Sequence, residues 1–275
     1  FNGGPHKLYI PDGARSGSLA NIFKSSKNRE NNLKFDLTQG STVEFWLKKG
    51  AFDPANITKK EVLFDLWNGH ASSSAGYGRL TIELTASAVA SAPAFRVTCQ
   101  SGTTGFFDQS LGSITTASVA DGSWHHYAFS FASASAGTIT TVLYKDGRAL
   151  TSSTMGTAFS AVTGTMSAHL GALRSAPSGN VYDGLTNNMV GHGKVLSSSF
   201  DEFRYWKTAR NAKQIFDNYN NQLGGGTNTD EANTLLGVYY KFNEGITTSN
   251  TVDAKVLDYS GRVSNGTWTG YTSTS

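Results

Sequence analysis

Three turn-rich stretches of this sequence place aromatic rings beside amide, carboxylate or imidazole groups. Aromatic faces pack on sugar rings, while amides and carboxylates form hydrogen bonds with hydroxyl groups. Such combinations are typical of sites that recognise carbohydrates. The candidate binding residues are Trp67, Asn68, His70 and Tyr77 in the first stretch, Phe107 in the second, and Tyr182, Asp183 and His192 in the third.

Two strand-like segments offer an alternative site on the face of a sheet. Because successive side chains of a strand point to opposite faces, each segment has a polar and aromatic face. These faces carry Glu44, Trp46 and Lys48 in residues 42–48, and Glu202, Arg204 and Trp206 in residues 199–206. Antiparallel pairing of the two segments would bring Glu44 opposite Arg204. The combined face is either a solvated set of ion pairs or a shallow platform for sugar rings.

The acidic residues of the predicted strands are poorly placed for catalysis. Retaining glycoside hydrolysis requires two carboxylates about 5–5.5 Å apart, which on one strand usually means acids two or four residues apart. Glu44 and Glu83 stand alone in their segments, and Asp65 follows Glu61 without a third member. The sequence also lacks nucleophile-elbow, phosphate-loop and zinc-site signatures. It therefore predicts a protein that is not an enzyme.

The composition indicates a β-rich chain with a polar, weakly charged surface. The 275 residues include 30 glycines and 5 prolines, and 38% are hydrophobic, which suits many turns between short strands. The 23 basic residues are dispersed and leave a net charge of +3, so no nucleic-acid binding is predicted. No apolar run approaches the roughly 18 residues of a membrane helix, so no membrane insertion is predicted.

Alternating apolar residues predict a series of short strands. In residues 124–131, for example, Tyr127, Phe129 and Phe131 share one face. Cys99, the only cysteine, alternates with Phe95 and is predicted to be a buried apolar side chain. The predicted strands are residues 7–10, 42–48, 61–67, 79–84, 94–99, 124–131, 138–145, 168–173 and 199–206.

One short helix is predicted after the last of these strands, because apolar residues recur there at helical spacing, with Thr208 as the candidate N-cap. We assign residues 1–223 to one domain and residues 224–234, which contain three successive glycines, to a flexible joint. Residues 235–275 form a strand segment that either closes the same domain or opens a following repeat. Phe1 stands where an initiator Met would be expected, which indicates a segment of a longer polypeptide.

Four sequence segments together resemble the laminin-G-like branch of the concanavalin A-like lectin and glucanase superfamily. They are residues 41–48, 121–128, 143–147 and 200–206, and the resemblance extends over most of residues 42–223. It implies an all-β fold, a two-sheet antiparallel jelly-roll sandwich of the concanavalin A-like type with one short C-terminal helix.

The resemblance also implies a metal site. In related jelly rolls an Asp at the start of the last strand helps to hold one structural calcium, together with backbone carbonyls of an N-terminal loop. Asp201 occupies that position here, and strict alternation places it on the inward side with Phe203 and Tyr205. A buried carboxylate needs either a metal or a hydrogen-bonding partner, so a hydrogen-bonded or salt-bridged Asp201 at the strand end is the alternative to a calcium ligand.

As a function, the resemblance implies a non-catalytic recognition or adhesion module that binds cell-surface glycans. Residues 200–208 and 239–245 are also similar to domains of large virion structural proteins of marine bacteriophages. This implies a location on the virion surface, outside the cell, with neighbouring virion proteins as partners in a larger multimeric assembly. Two alternatives stay open: a purely structural spacer or decoration domain of a phage particle, and a jelly-roll glycoside hydrolase.

Overall fold

The protein forms a sandwich of two antiparallel β-sheets, as a computed structural model of the chain shows. The structure describes residues 7–10, 32–53, 60–85, 91–173, 193–223, 235–245, 247–261 and 264–269. Within these ranges, no helix has the length and apolar character needed to cross a membrane. The predicted site residues Tyr182, Asp183 and His192 lie outside the described residues.

Short strands make up most of the regular structure of the described residues, and three short helices are described between them. In chain order the elements are β1 (Lys7–Ile10), β2 (Ser41–Lys49), β3 (Lys60–Trp67), β4 (Gly78–Thr85), β5 (Phe95–Ser101), β6 (Thr104–Ser110), α1 (Thr116–Val119), β7 (Trp124–Ser133), β8 (Ile139–Lys145), β9 (Arg148–Met155), β10 (Ser167–Leu170), β11 (Ser198–Trp206), α2 (Ala212–Asn218), β12 (Leu236–Tyr240), α3 (Asn250–Asp253), β13 (Lys255–Val256) and β14 (Gly266–Thr269).

Among the described residues, one sheet contains six strands and the other contains eight. The six-stranded sheet has the order β12-β11-β2-β7-β8-β9, and the eight-stranded sheet has the order β13-β14-β1-β10-β3-β4-β5-β6. Strands from the end of the chain join both sheets, because β12 pairs with β11 and β14 pairs with β1. Residues 235–275 thus contribute strands to each layer of the sandwich.

The core lies between the sheets and is dense in aromatic rings. Phe129 on β7 stacks on Phe45 of β2 in the same sheet, with ring centroids 6.0 Å apart. It also meets Phe95 of β5 in the opposite sheet edge-to-face at 5.1 Å. All three rings are completely buried. Each stabilises the fold by about 1.5–3 kcal/mol through removal of apolar surface from water.

Each strand predicted from alternation is present, with small shifts of its ends, and Cys99 is buried in the core as expected. Two described strands were not predicted, β6 and β9, and each lies at one edge of its sheet. Edge strands have one neighbour and often lack a continuous apolar face, so alternation identifies them poorly. Phe107, predicted to lie in a loop, is therefore in strand β6.

Helix α2 is present where the sequence predicted it, but its N-cap is different. The side chain of Asn211 accepts a hydrogen bond from the backbone of Gln214, and the Gln214 side chain accepts one from the backbone of Asn211. This capping box satisfies two of the backbone N–H groups at the helix start. The prediction of Thr208 as the cap was wrong, since its hydroxyl donates to the carbonyl of Gln39.

Candidate functional site

The first predicted binding loop is held together by its own polar groups. Asn68, which is buried, donates from Nδ2 to the carbonyls of Gly76 and Thr163 at 2.6 and 2.9 Å. Its Oδ1 accepts a hydrogen bond from the backbone N–H of Gly78 at 3.1 Å. Asn68 therefore closes the loop, as Asn side chains in turns often do.

The other described binding candidates differ in their contacts and in their exposure. Trp67 donates from its indole to the carbonyl of His70 and is covered by the guanidinium of Arg79. Tyr77 is buried, and this burial raises the pKa of its hydroxyl. Phe107 is 40% exposed on the edge strand β6. None of the described members of the set lines the cleft described next, and their role in binding stays a prediction.

A cleft of about 370 Å³ lies instead on the outer face of the six-stranded sheet. It combines indole rings with carboxylates, amides and a buried guanidinium. Its floor comes from β2, β7 and β11, and its wall is formed by Asn218, the last residue of α2, with residues 219–222 that follow. The lining residues are Trp46, Trp124, Asp201, Glu202, Arg204, Tyr219, Asn220, Asn221 and Gln222.

A β-bulge in β11 gives the cleft its two carboxylates. Asp201 pairs with Trp46 and Arg204 pairs with Glu44, so β11 has one residue more than β2 between these pairs. Glu202 occupies the bulge with a left-handed backbone, at a φ of 49°. The neighbouring acids Asp201 and Glu202 consequently line the same cleft, which regular alternation would forbid.

Because of the same bulge, the side chain of Asp201 points to the face opposite to the one expected. Strict alternation predicted an inward side chain, shared with Phe203 and Tyr205, and that prediction was wrong. Phe200 and Phe203 both enter the core, and Asp201 between them points to the outer face. Burial raises the pKa of Asp201, and the Glu202 carboxylate raises it further, while a hydrogen bond from the Glu202 backbone opposes both effects.

Helix α2 is fixed over the sheet by apolar contacts and a close turn. Ile215 is fully buried against Ala128 and Tyr144 of the outer face. Gly147, in the turn between β8 and β9, has a φ of 78° and approaches the ring of Tyr219. A Cβ atom at this position would lie 2.6 Å from the ring, so both the backbone and the packing require glycine.

Arg204 attaches the wall of the cleft to the floor. Its guanidinium donates to the carbonyls of Asn218 and Asn221, at 2.9 and 2.5 Å, and to Oε2 of Glu202 at 3.0 Å. The indole of Trp46 donates a third hydrogen bond to a main-chain carbonyl of the wall, that of Tyr219, at 3.0 Å. The path of the wall is thus set by side chains of the sheet that bind its main chain.

Buried charges lie beneath this wall. The carboxylate of Glu44 is 3.3 Å from the imidazole of His126, 3.6 Å from Arg210 and 3.9 Å from Arg204. Burial alone would raise the pKa of Glu44, but His126 and the two guanidinium groups together hold it below its usual value. The predicted pairing of Glu44 with Arg204 is confirmed. The face is covered by α2 and the following turn rather than solvated.

Glu202 is held by two partners. Besides the bond from Arg204, it accepts a hydrogen bond from the hydroxyl of Tyr239 on β12. Burial, followed by this hydrogen bond to Glu202, raises the pKa of Tyr239 to about 12. The hydroxyl therefore remains a proton donor at physiological pH and keeps the carboxylate in position.

The calcium predicted at Asp201 has limited support from the described residues. Across these ranges no group of three or more His, Cys, Asp or Glu side chains is arranged to hold a metal ion. Oδ1 of Asp201 accepts a hydrogen bond from the backbone N–H of Glu202 at 2.9 Å. Much of the N-terminal region that the resemblance connects with the metal, residues 11–31, lies outside the description. Calcium at Asp201 stays a prediction.

A second group of buried charges lies on the eight-stranded sheet. Glu83 of β4 is fully buried, with its carboxylate 3.5 Å from the ammonium of Lys60, which also forms an ion pair with Asp108. Burial raises the pKa of Glu83 to about 8, against the smaller opposing effect of Lys60. The fold therefore favours the neutral form of Glu83 at physiological pH.

This raised pKa predicts a pH-dependent gain in stability for Glu83→Gln. The stabilisation that Glu83 contributes is complete below its unfolded pKa of 4.5 and is lost as the pH rises through about 8. Above pH 8, we expect the free energy of unfolding of the variant to exceed that of the parent by about 2 kcal/mol. A shift of one pKa unit corresponds to about 1.4 kcal/mol, and loss of the Lys60 contact offsets part of the gain. Denaturant unfolding close to pH 4.5 and above pH 8 measures this. Equal destabilisation at both pH values would contradict it.

Solved structures with a similar arrangement come from distant proteins. A candidate carbohydrate-binding protein from Bacteroides ovatus is 17% identical, with a TM-score of 0.47, and the match covers 96% of this chain and 56% of that one. Domains LG4-5 of the mouse laminin α1 chain are 10% identical, with a TM-score of 0.42 and coverage of 75% and 40%. The heptameric SAP-like pentraxin of Limulus polyphemus is 9% identical, with a TM-score of 0.41 and coverage of 77% and 74%.

The family of the chain follows from its sequence and agrees with the fold. No curated protein matches it. The family model for a laminin G domain, described as the concanavalin A-like lectin/glucanases superfamily, matches residues 24–216. This range contains the strands that form the floor of the cleft and most of α2. The chain therefore belongs to the laminin G family of the concanavalin A-like lectin/glucanases superfamily.

Proposed function

We propose that this domain is a non-catalytic module that binds glycans in the cleft on the six-stranded sheet. The observation that carries the proposal is the position of Trp124 and Trp46 beside two carboxylates and three side-chain amides in one open cleft. Membership of a superfamily that includes lectins supports the same conclusion.

The aromatic surface of the cleft is exposed in the way that sugar binding requires. Trp124 is 42% exposed at the start of β7, although removing such a ring from water stabilises a protein by roughly 25 cal/mol per Å². Trp46 is partly exposed and stacks on Tyr219, with centroids 6.2 Å apart and planes inclined by 25°. These contacts hold the ring of Trp46 in place, so little side-chain entropy is lost when a ligand binds.

The polar groups of the cleft complement the hydroxyl groups of a sugar. Asp201 supplies acceptors, while the amides of Asn220, Asn221 and Gln222 supply both donors and acceptors. The Asn221 amide is oriented by a hydrogen bond to the carbonyl of Asp217 at 2.8 Å. Because the cleft is open and small, a single site is expected to bind weakly, and several linked copies bind more strongly through effective concentration.

Trp124→Ala tests the proposal. We expect the parent chain, displayed as a tetramer on a glycan array, to bind a subset of microbial polysaccharides. Loss of the exposed ring should weaken binding about tenfold or more, since aromatic stacking contributes on the order of 1 kcal/mol per site and the copies act together. Thermal unfolding should change little, because Trp124 lies at a strand end and is exposed.

Phe107→Ala is the matched control for this experiment. Phe107 is 40% exposed, like Trp124, but lies on β6 of the other sheet. If Phe107→Ala abolishes binding and Trp124→Ala does not, the ligand binds at the edge strand β6 rather than in the cleft. If the parent binds no glycan on the array, the alternative of a structural spacer is favoured.

A glycoside hydrolase is a second candidate, and one observation favours it. The bulge of β11 brings two carboxylates, Asp201 and Glu202, into the cleft, whereas the sequence alone indicated no such pair. Glycoside hydrolysis uses two carboxylates that flank the scissile bond. If the parent releases reducing ends from a bound polysaccharide and Asp201→Asn abolishes this release, the domain is a hydrolase rather than a binding module alone.

We propose a location on a virion surface, where many copies of such a module would act together. The resemblance of residues 200–208 and 239–245 to virion proteins of marine bacteriophages supports this location. Antibodies against the domain should then label purified particles in electron micrographs. Particles that remain unlabelled while the protein is found free in the lysate would contradict the location without affecting the glycan site.

A further inference from the structure

We infer that the cleft selects glycans with protonated amino groups, such as glucosamine polymers, over neutral and acidic glycans. This inference rests on the proposed function and adds the chemical class of the ligand.

The charge balance of the cleft carries the inference. Among its lining residues the acids are Asp201 and Glu202, and the single cation is Arg204. Arg204 is only 1% exposed and directs its donors to Glu202 and to two carbonyls of the wall, Asn218 and Asn221. It therefore offers little positive charge to a ligand.

The charged groups beneath the floor largely compensate one another. The cations Arg204 and Arg210 face the carboxylates of Glu44 and Glu202, and His126 lies against Glu44. Asp201 has no part in these ion pairs, and the hydrogen bond described for it comes from a neutral backbone N–H group. Its carboxylate is the acceptor that remains for a cationic ligand.

Two further cations lie beside the cleft without lining it: Lys48, and Lys241, whose ammonium is 3.5 Å from Oε1 of Gln222. Lys48 pairs with Trp124 on one side and with Ser199 on the other, and it is exposed. Solvent screens an exposed ammonium strongly. Asp201, which is partly buried, acts at contact distance and in a medium of lower polarity, so its effect on a bound ligand is larger.

The aromatic side chains favour the same ligand class. An ammonium group over the face of an indole is attracted by the negative charge of the ring face, and tryptophan is the best residue for this interaction. Trp46 lies directly across the strand pair from Asp201. An amino sugar bound over the floor can therefore present its ring to an indole and its ammonium to the carboxylate, through a charge-assisted hydrogen bond.

Two hexasaccharides that differ only in acetylation test the inference. The probes are the glucosamine hexamer and the N-acetylglucosamine hexamer, each coupled to a sensor surface at about pH 6, where amines are protonated. We expect the tetramerised parent to bind the glucosamine hexamer at least tenfold more tightly at low salt. The preference should decrease as salt is added, because exposed electrostatic attraction is screened.

Two charge-matched variants assign the preference to the cleft. Asp201→Asn should reduce the ratio of the two affinities to below about threefold, while Asp217→Asn should leave the tenfold ratio unchanged. Asp217 is an exposed acid on α2 that pairs with Lys213 outside the cleft, so its substitution removes the same charge elsewhere. Thermal unfolding of both variants shows whether they are folded.

The outcomes separate this inference from the proposed function. Equal affinity for the two probes, or a preference that Asp201→Asn leaves unchanged, overturns the amino-sugar inference. If neutral glycans bind in a Trp124-dependent way in that case, the proposed function stands. If no glycan of any charge binds the tetramerised parent, the proposed function fails, and the inference fails with it.

Discussion

Replacing Arg204 with methionine is expected to lower the free energy of unfolding by about 3–5 kcal/mol, the range for removing one partner from a buried ion pair. Arg204 is 1% exposed, and its guanidinium binds Glu202 and two carbonyls of the wall, those of Asn218 and Asn221. Methionine fills a similar volume without donors. The variant would leave Glu44 with one buried cation fewer and the two carbonyls without their bonds.

Binding in the cleft should be lost together with this stability. The wall depends on Arg204 for two of its anchoring bonds, at the carbonyls of Asn218 and Asn221. Hydrogen exchange at low denaturant concentrations measures this effect. In the variant, the backbone amides of α2 should lose their protection before the protein unfolds globally. A variant as stable as the parent would show that the guanidinium is replaceable in the fold.

Lys213→Met is the matched control, since it removes one cation from α2 at the surface. Its ammonium forms an ion pair with Asp217 four residues later, and the Lys213 side chain is 82% exposed. Exposed pairs of this type contribute about 0.3–0.5 kcal/mol. Chemical unfolding of the two variants under the same conditions should thus differ by several kcal/mol. Similar values for both would contradict the assignment of Arg204 as an anchor.

Phe129→Ala is expected to destabilise the protein by a comparable amount, about 3–5 kcal/mol. The ring is completely buried and contacts Phe45 in its own sheet and Phe95 in the opposite sheet. Its removal leaves a cavity between the two layers, which the surrounding β-structure fills only in part. Denaturant unfolding gives the loss directly.

The exposed Phe107 provides the comparison for this substitution as well. The chemical change is identical, but Phe107 is 40% exposed on an edge strand, so we expect less than about 1 kcal/mol of destabilisation. Nearly equal losses for the two alanine variants would contradict a core built from the inward faces of both sheets.

Alternation predicted the sandwich well and failed where the cleft is formed. It assigned Phe45 and Phe129 correctly to the interior, because β2 and β7 are regular over these positions. It misplaced Asp201, because one extra residue in β11 reverses the direction of the side chains before the bulge. A bulge has no reliable mark in the sequence when its left-handed residue is Glu202 rather than glycine.

The site could be predicted only in part. The sheet-face hypothesis contained Trp46, Glu202 and Arg204, which all line the cleft. It missed Trp124, although the position of this residue two before His126 places it on the same outer face. It also missed Tyr219 and the wall, since the position of α2 over the sheet depends on contacts between residues distant in the sequence, such as those of Ile215.

The polar residues of the long loops show a second reason why the site could be predicted from the sequence only in part. Asn68 has the side-chain chemistry of a sugar ligand, yet its amide closes its own loop. Composition cannot distinguish a side chain that satisfies nearby backbone groups from one that awaits a ligand. Exposed Trp124 and buried Tyr77 differ in the same way, in surroundings that only the assembled sheets create.

The main-chain anchoring of the wall makes this domain a suitable starting point for directed evolution. Arg204 and Trp46 donate hydrogen bonds to main-chain carbonyl groups, and such a carbonyl is present whatever side chain its residue carries. Codons 220–222 could therefore be randomised in a display library while the scaffold keeps its shape. Selected clones would acquire new specificities from three neighbouring positions, much as antibodies do from a hypervariable loop.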